Sequence, residues 1–248
     1  MDKNPNTAKF WDRKIRDVFE ISKYDFVTED RVRSAANLIL NLDKKLLDVG
    51  FGYGFLENRL QKDKKKINLT GVDLSPIAAK RANTLFCGNF IVGTSKSLSF
   101  KNSTFDYVCL LEVLEHLYKN DAISSLREVY RVLNSHGELI VSVPLFDQVY
   151  LGHPSGHVRI YTPNDLIEEL NICGFRVTYK KFLYAFSNFY LLKNLVNAIF
   201  RFKNPNILIV VAEKKDRTDR TDKMVKKEKT DKKNEKDQGD KGNRGMKK

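Results

Sequence analysis

"LLDVGFGYG", residues 46–54, is an apolar run that breaks into three glycines alternating with two aromatics. A short run of this kind closed by turn residues reads as a buried strand followed by a tight loop. Glycine in such a loop lets the backbone turn sharply and approach a ligand with no Cβ in the way, and the next helix starts at that ligand. Gly50, Gly52 and Gly54 fit this use. The dinucleotide fingerprint would place its third glycine at 55, where Phe55 stands, so the pattern here is Asp-x-Gly-x-Gly-x-Gly. An ordinary tight turn is the plain alternative for a lone glycine loop.

A second stretch adds weight to the ligand reading. GVDLS, residues 71–75, ends the next apolar run in Asp73. That spacing, about 20 residues past the glycines, places a carboxylate where it accepts hydrogen bonds from both hydroxyls of a ribose. Loop and acid together indicate an adenosine-containing ligand and leave NAD and other carriers open.

Around this pair, apolar β-rich runs alternate with helical patterns. Strands are expected at 45–49, 67–73, 89–92, 105–111 and 138–143, and helices near 54–61, 76–86 and 120–133. Two helical stretches in residues 8–40 precede them. Thr162, Pro163 and Asp165 open a further helix that should end at Gly174. Residues 175–182 and 206–215 read as the closing strands. The alternation predicts an α/β fold with a mostly parallel sheet covered on both faces. Domain boundaries follow: a helical cover over 1–40, the main domain over 41–213 with an aromatic helical insertion at about 183–204, and a disordered lysine-rich tail over 214–248.

The net charge of +13 comes from 44 Lys and Arg against 31 Asp and Glu. Nearly half of the excess lies beyond Ala212, in a segment with few apolar residues, so the body is only mildly basic. The tail offers weak, salt-sensitive attraction to nucleic acid or anionic membrane, without the interleaved aromatics that stack on bases. Cys87, Cys109 and Cys173 stand far apart in or beside apolar stretches and read as buried reduced thiols. The polar N-terminus and the lack of a long apolar run predict a cytoplasmic protein, with membrane association through the aromatic segment 182–202 left open.

DVGFGYG, GVDLS, FDYVCLLEVLEHL and GELIVSVP, in this order and spacing, resemble the class I S-adenosylmethionine-dependent methyltransferases. Within them the chain is similar to the type 11 group that includes quinone-pathway O-methyltransferases. The likeness covers about residues 35–180 and implies a Rossmann-like, seven-stranded sheet with an antiparallel last strand. It implies S-adenosylmethionine as cofactor, with Gly50, Gly52 and Gly54 beside the methionine part, Asp48 facing its ammonium, Asp73 on the ribose, and Leu74 and Leu111 against the ligand. Relatives usually carry an acid after the third strand to bind adenine. Here Thr94 and Ser95 stand at that point, and Ser95 is the candidate contact.

The resemblance also makes Glu112, Glu115 and His116 of EVLEH implied ligands of a divalent cation, a donor set that suits such an ion. Alternatively, Glu112 lines the pocket while Glu115 and His116 cap or solvate a helix. Methyl transfer to a hydroxyl needs alignment, exclusion of water and removal of a proton. His157 and His116 are the candidates for that proton, His157 within a loop that also holds His153, Arg159 and Tyr161. Fastening that loop is the alternative role of His157 and Arg159. A zinc site of His153 and His157 is disfavoured by the prolines and glycines around them.

LLEVLEH stands where exocyclic amino methyltransferases of bases carry Asn/Asp-Pro-Pro-aromatic, and no prolyl-cysteine pair is present to activate a pyrimidine. The expected acceptor is a small or lipid-linked molecule methylated at oxygen. RNA or protein methylation and a noncatalytic cofactor-binding module are the alternatives.

Overall fold

The computed structural model describes residues 6–16, 25–40, 43–65, 67–145, 155–184, 196, 199 and 204–215. His153, most of the aromatic insertion and the lysine-rich tail from residue 216 onward lie outside them, while Lys214, given to the tail, belongs to the last described strand.

The elements follow the expected alternation. Helices α1 (Ala8–Arg16) and α2 (Phe26–Leu38) precede β1 (Lys45–Val49), α3 (Phe55–Lys62), β2 (Asn68–Asp73), α4 (Pro76–Leu85) and β3 (Asn89–Val92). Then come β4 (Phe105–Leu111), a 3₁₀ turn at Leu114–His116, α5 (Lys119–Val132), β5 (Leu133–Pro144), α6 (Pro163–Ile172), β6 (Phe175–Leu183) and β7 (Ile207–Lys214). The helix starts have local causes. Ser75 caps α4 by accepting from the Ala78 N–H, with Pro76 in the first turn. Thr162 and Asp165 form a reciprocal capping box on α6, so orphan N–H groups are satisfied at both helices.

The seven strands are ordered β3-β2-β1-β4-β5-β7-β6. β1 to β5 run parallel, and β7 lies antiparallel between β5 and β6. Because β1 pairs with both β2 and β4, the strand order reverses beside it. In open α/β sheets a ligand crevice forms at the carboxyl ends of the strands at such a reversal.

Both faces of the sheet are buried. Leu47, Val108 and Leu110 pack toward Leu126 and Val129 of α5 and Leu166 of α6, whereas Leu46, Tyr107 and Cys109 face Ala35, Leu56 and Ala79 of α2, α3 and α4. Adjacent residues therefore point to opposite layers, which explains why the strands read as continuous apolar runs.

Two expectations are corrected. β5 begins at Leu133, five residues before the expected start: Leu133 pairs with Phe105 and Glu138 with Tyr107, so an irregularity absorbs the polar stretch between them. β6 runs to Leu183, one residue past the expected strand end and into the start given to the insertion. Among the cysteines, Cys109 and Cys173 are buried as expected, but Cys87 is exposed.

Candidate functional site

The crevice beside β1 holds a cavity built from four stretches of backbone and closed by the N-terminal helices. At its floor lie Gly50 and Gly52; they and Gly54, which does not line it and where a Cβ would strike Phe86 at 2.4 Å, have φ of 77°, 52° and 78°, the left-handed region that side chains rarely adopt. The three differ in what surrounds them. A Cβ on Gly50 would strike Val113 at 2.7 Å, whereas one on Gly52 would meet only the Gly50 carbonyl at 3.9 Å and would project into open space. Gly52 is the bare point of the loop.

Asp73 ties this loop to the next strand. Its Oδ2 accepts from the Gly52 N–H at 2.9 Å and its Oδ1 from the Ser75 N–H at 2.8 Å. Burial pushes its carboxyl up from the ordinary value, these two N–H groups oppose the rise, and the nearby Asp12 adds to it. Each carboxylate oxygen keeps a lone pair for a hydroxyl donor. Leu74, Gly93 and Ser95 continue the wall on this side. The Ser95 hydroxyl shares a 2.7 Å hydrogen bond with that of Ser125, and Thr94 is not among the residues that line the cavity.

Asp48 lies elsewhere than expected. It is 3% exposed, is absent from the cavity lining, and interacts with the equally buried Glu57 of α3. Burial pushes Asp48 up to about 7, with Glu57 opposing and the charge of Asp73 adding to the rise, and burial also raises Glu57 well above the ordinary carboxylate value. Two coupled carboxyls buried together away from water hold at least one proton between them at neutral pH.

A folded-state value above the unfolded one means that the folded chain binds more protons, so this stabilisation is full below about pH 4 and is lost as pH rises through 7. His116 works oppositely at lower pH, since its folded value is depressed. Between pH 6.5 and 8 the thermal midpoint is therefore expected to fall in the wild type and to fall less in Glu57→Gln; identical slopes would refute the shared proton.

At the end of β4, Leu111 lines the cavity and Glu112 adopts φ 58°. A non-glycine residue held in this region is strained and persists because its surroundings fix it. Here the Ser142 hydroxyl donates to Glu112 Oε1 at 2.8 Å and Arg31 Nη1 lies 3.3 Å from Oε2. Arg31 is the only lysine or arginine among the described lining residues, and its buried Nε has no hydrogen-bond partner among them. Sequence reasoning missed this group. The available signal was its place on α2, four residues before Ala35 on a face that buries Val32, Ala35 and Ala36.

The far end of the cavity holds His116. Its ring meets Trp11 edge-on at 4.8 Å and His157 at 4.8 Å. Burial pushes His116 down to about 4, the Gly156 carbonyl opposes this, and His157 and Lys14 reinforce it, so the imidazole is neutral at physiological pH. His157 stands behind His116 and does not line the cavity. Glu115 is fully buried with its carboxylate 3.8 Å from His116 Nε2, and its carbonyl accepts from the N–H groups of Val158 and Arg159. Thus the potential ligand atoms that cluster, within 4.8 Å of one another, belong to Glu115, His116 and His157, while Glu112 is engaged with Arg31 and Ser142.

Residues 47–141 match the family model described as a methyltransferase domain. A protein of Methanocaldococcus jannaschii is 29% identical over 174 residues, covering 69% of this chain and 68% of that one. The tRNA U34 carboxymethyltransferase of Aliarcobacter butzleri is 30% identical over 112 residues, 42% of this chain and 35% of its own length. The demethylmenaquinone methyltransferase of Thermotoga maritima is 31% identical over 114 residues, 44% of this chain and 48% of its own. The chain thus matches less than half the length of these two relatives of named activity. In architecture, the Burkholderia thailandensis 1,6-didemethyltoxoflavin-N1-methyltransferase, solved with S-adenosylhomocysteine, superposes with a TM-score of 0.63 at 18% identity, over 87% of this chain and 92% of that one.

Sheet order, family match and architectural likeness define a class I methyltransferase fold. Residues 47–141 are a methyltransferase domain, set in the fold of the class I S-adenosylmethionine-dependent enzymes.

Proposed function

We propose that this enzyme methylates a hydroxyl oxygen of a small or lipid-linked acceptor that enters beside His116. The observation that carries the reading is the joining in one cavity of the bare Gly52, the buried acid Asp73 and the neutral imidazole His116. The cofactor, when bound, supplies an electrophilic methyl group on a sulfonium, and the protein aligns the acceptor, excludes water and removes a proton.

In this reading Asp73 accepts the ribose hydroxyls, and Leu74 and Ser95 line the adenine end. Gly50 and Gly52 leave backbone room for the methionine part beside Leu111, and Gly54 lets the loop turn close against Phe86. Arg31 takes the methionine carboxylate through its unpaired Nε, since a guanidinium suits a planar anion. Glu112 faces the ammonium in place of Asp48, which supports the loop from beneath. His116 takes the acceptor proton and His157 backs it.

The demethylmenaquinone methyltransferase likeness supports a lipid-linked acceptor. The likeness to a tRNA-modifying enzyme supports the rival, RNA methylation. The clustering of Glu115, His116 and His157 supports a second role for the far end, as a seat for a divalent cation.

Titration calorimetry with S-adenosylmethionine, NAD and a Gly52→Val variant tests the cofactor site. Saturable binding of the first ligand that weakens at least about tenfold in the variant is expected, since a branched side chain in the left-handed region costs about 1–2 kcal/mol before any clash. Binding of NAD alone would overturn the reading. A labelled-methyl screen then separates acceptors: label in RNA defeats the small-acceptor proposal, and turnover lost to a chelator with cofactor binding intact assigns the far end to a cation.

A further inference from the structure

Helix α1 has an unusual relation to the cavity. Asn6, Trp11 and Ile15, on or just before it, form part of the cavity wall, yet α1 is only nine residues long and its one buried residue is Ile15. Helices shorter than about 12 residues are marginal on their own in water, so the helical state of α1 depends on its seat.

That seat is largely polar. Asp12 Oδ1 accepts from the Ser75 hydroxyl and, at 3.2 Å, from the Ile77 N–H, so α1 is latched to the first turn of α4. The Tyr53 hydroxyl, from the glycine loop, reaches the Lys14 carbonyl at 3.4 Å. The Asn6 amide donates to the carbonyls of His116 at 3.0 Å and Gly156 at 2.8 Å.

The latch shares a residue with the ribose acid. Ser75 gives its hydroxyl to Asp12 and its N–H to Asp73, and Asp73 in turn holds Gly52. Two carboxylates thus sit on one serine, and the nearness of Asp12 disfavours the charge of Asp73. Hydroxyl donors at Asp73 would spread its negative charge and relieve the repulsion felt at Asp12. A ligand at Asp73 therefore interacts differently with the docked and undocked states of α1, the condition for shifting that equilibrium.

We propose that α1 is a lid latched by Asp12 and that cofactor at Asp73 strengthens the latch, so that the acceptor wall of Asn6 and Trp11 is completed only after the cofactor is in place. This rests on Asp73 being the ribose acid. Asp12 is a positioning residue: it acts on the acceptor through Trp11, whose ring stands against His116.

Hydrogen exchange of residues 6–16 in the full chain, with S-adenosylhomocysteine as probe and calorimetry in parallel, tests the coupling. In the wild type the probe should slow exchange about tenfold, within the usual range of coupling between sites. Asp12→Asn keeps an oxygen for Ser75 and removes the repulsion, so α1 should be protected without probe and gain little with it. Asp12→Ala loses the latch; exchange should be fast in both states, and probe affinity should fall by the factor by which the probe protects α1 in the wild type, as reciprocity requires. Probe that binds without changing exchange in the wild type, or an Asp12→Asn variant with the full wild-type response, would overturn the lid coupling alone. Failure of the probe to bind at all would remove the cofactor reading and the lid together.

Discussion

Replacing Asp73 by alanine is expected to lower affinity for S-adenosylmethionine about a hundredfold or more while leaving the chain folded. The carboxylate sits at the end of β2, 8% exposed, and already receives two backbone N–H groups. Hydrogen bonds to a charged group contribute about 1.5–3 kcal/mol each, so losing two ribose hydroxyl bonds costs at least about 3 kcal/mol, which is two decades in affinity. Release of the Gly52 N–H adds to this, because the loop loses its tie to β2. Asp73→Asn should fall between, since one amide oxygen can still accept. Calorimetry gives the affinities, and circular dichroism with thermal melting checks the fold. An affinity within threefold of wild type in Asp73→Ala would remove this residue from the ligand.

The second large effect concerns stability. Arg159→Ala is expected to destabilise the chain by about 3–5 kcal/mol in urea denaturation, the usual result of leaving one partner of a buried ion pair alone. Its guanidinium pairs with Glu169 and lies over the Tyr161 ring at 4.5 Å, and the Tyr161 hydroxyl donates to the other Glu169 oxygen at 2.8 Å. Glu169 is 2% exposed, so without Arg159 its charge has neither water nor cation. Arg159→Ala with Glu169→Leu should recover much of the loss, because both charges leave the interior together. A single-variant loss below 1 kcal/mol would mean that water reaches Glu169. The same cluster anchors the segment whose Val158 and Arg159 N–H groups bind the Glu115 carbonyl, so His157 should lose its place beside His116 in the variant.

What could be read from sequence was what is local or periodic. The glycine loop, the capped start of α6 and the strand runs each declare themselves within about ten residues, and Asp73 follows from the regular spacing of a βαβ unit. What could not be read depends on distant contacts. The depth of Asp48 is set by Glu57, nine residues on in a helix whose rotation the pattern does not specify. The grouping of His157 with Glu115 and His116 requires the segment after β5 to fold back across some 40 residues of chain. The contribution of Asn6, Trp11 and Arg31 depends on how the N-terminal helices sit on the sheet, and nothing in their own spacing announces a ligand. Only Arg31 left a trace, as a charge on an otherwise apolar face.

The position of β7 bears on the order in which the molecule can be made. Among the described strands it is the last to leave the ribosome, yet it fills an inner place in the sheet, hydrogen-bonded to β5 on one side and β6 on the other, with Leu208, Ile209 and Val210 fully buried. Until it emerges, β5 presents a long unpaired edge of apolar residues and β6 has no neighbour to join it to the sheet. A nascent chain ending before Ile207 is thus an incomplete sheet with a strand-wide gap. Closure of this sheet waits for β7, and the cavity beside β1, lined by residues from Asn6 to Leu117, is spelled out in sequence well before the sheet that holds it can become whole.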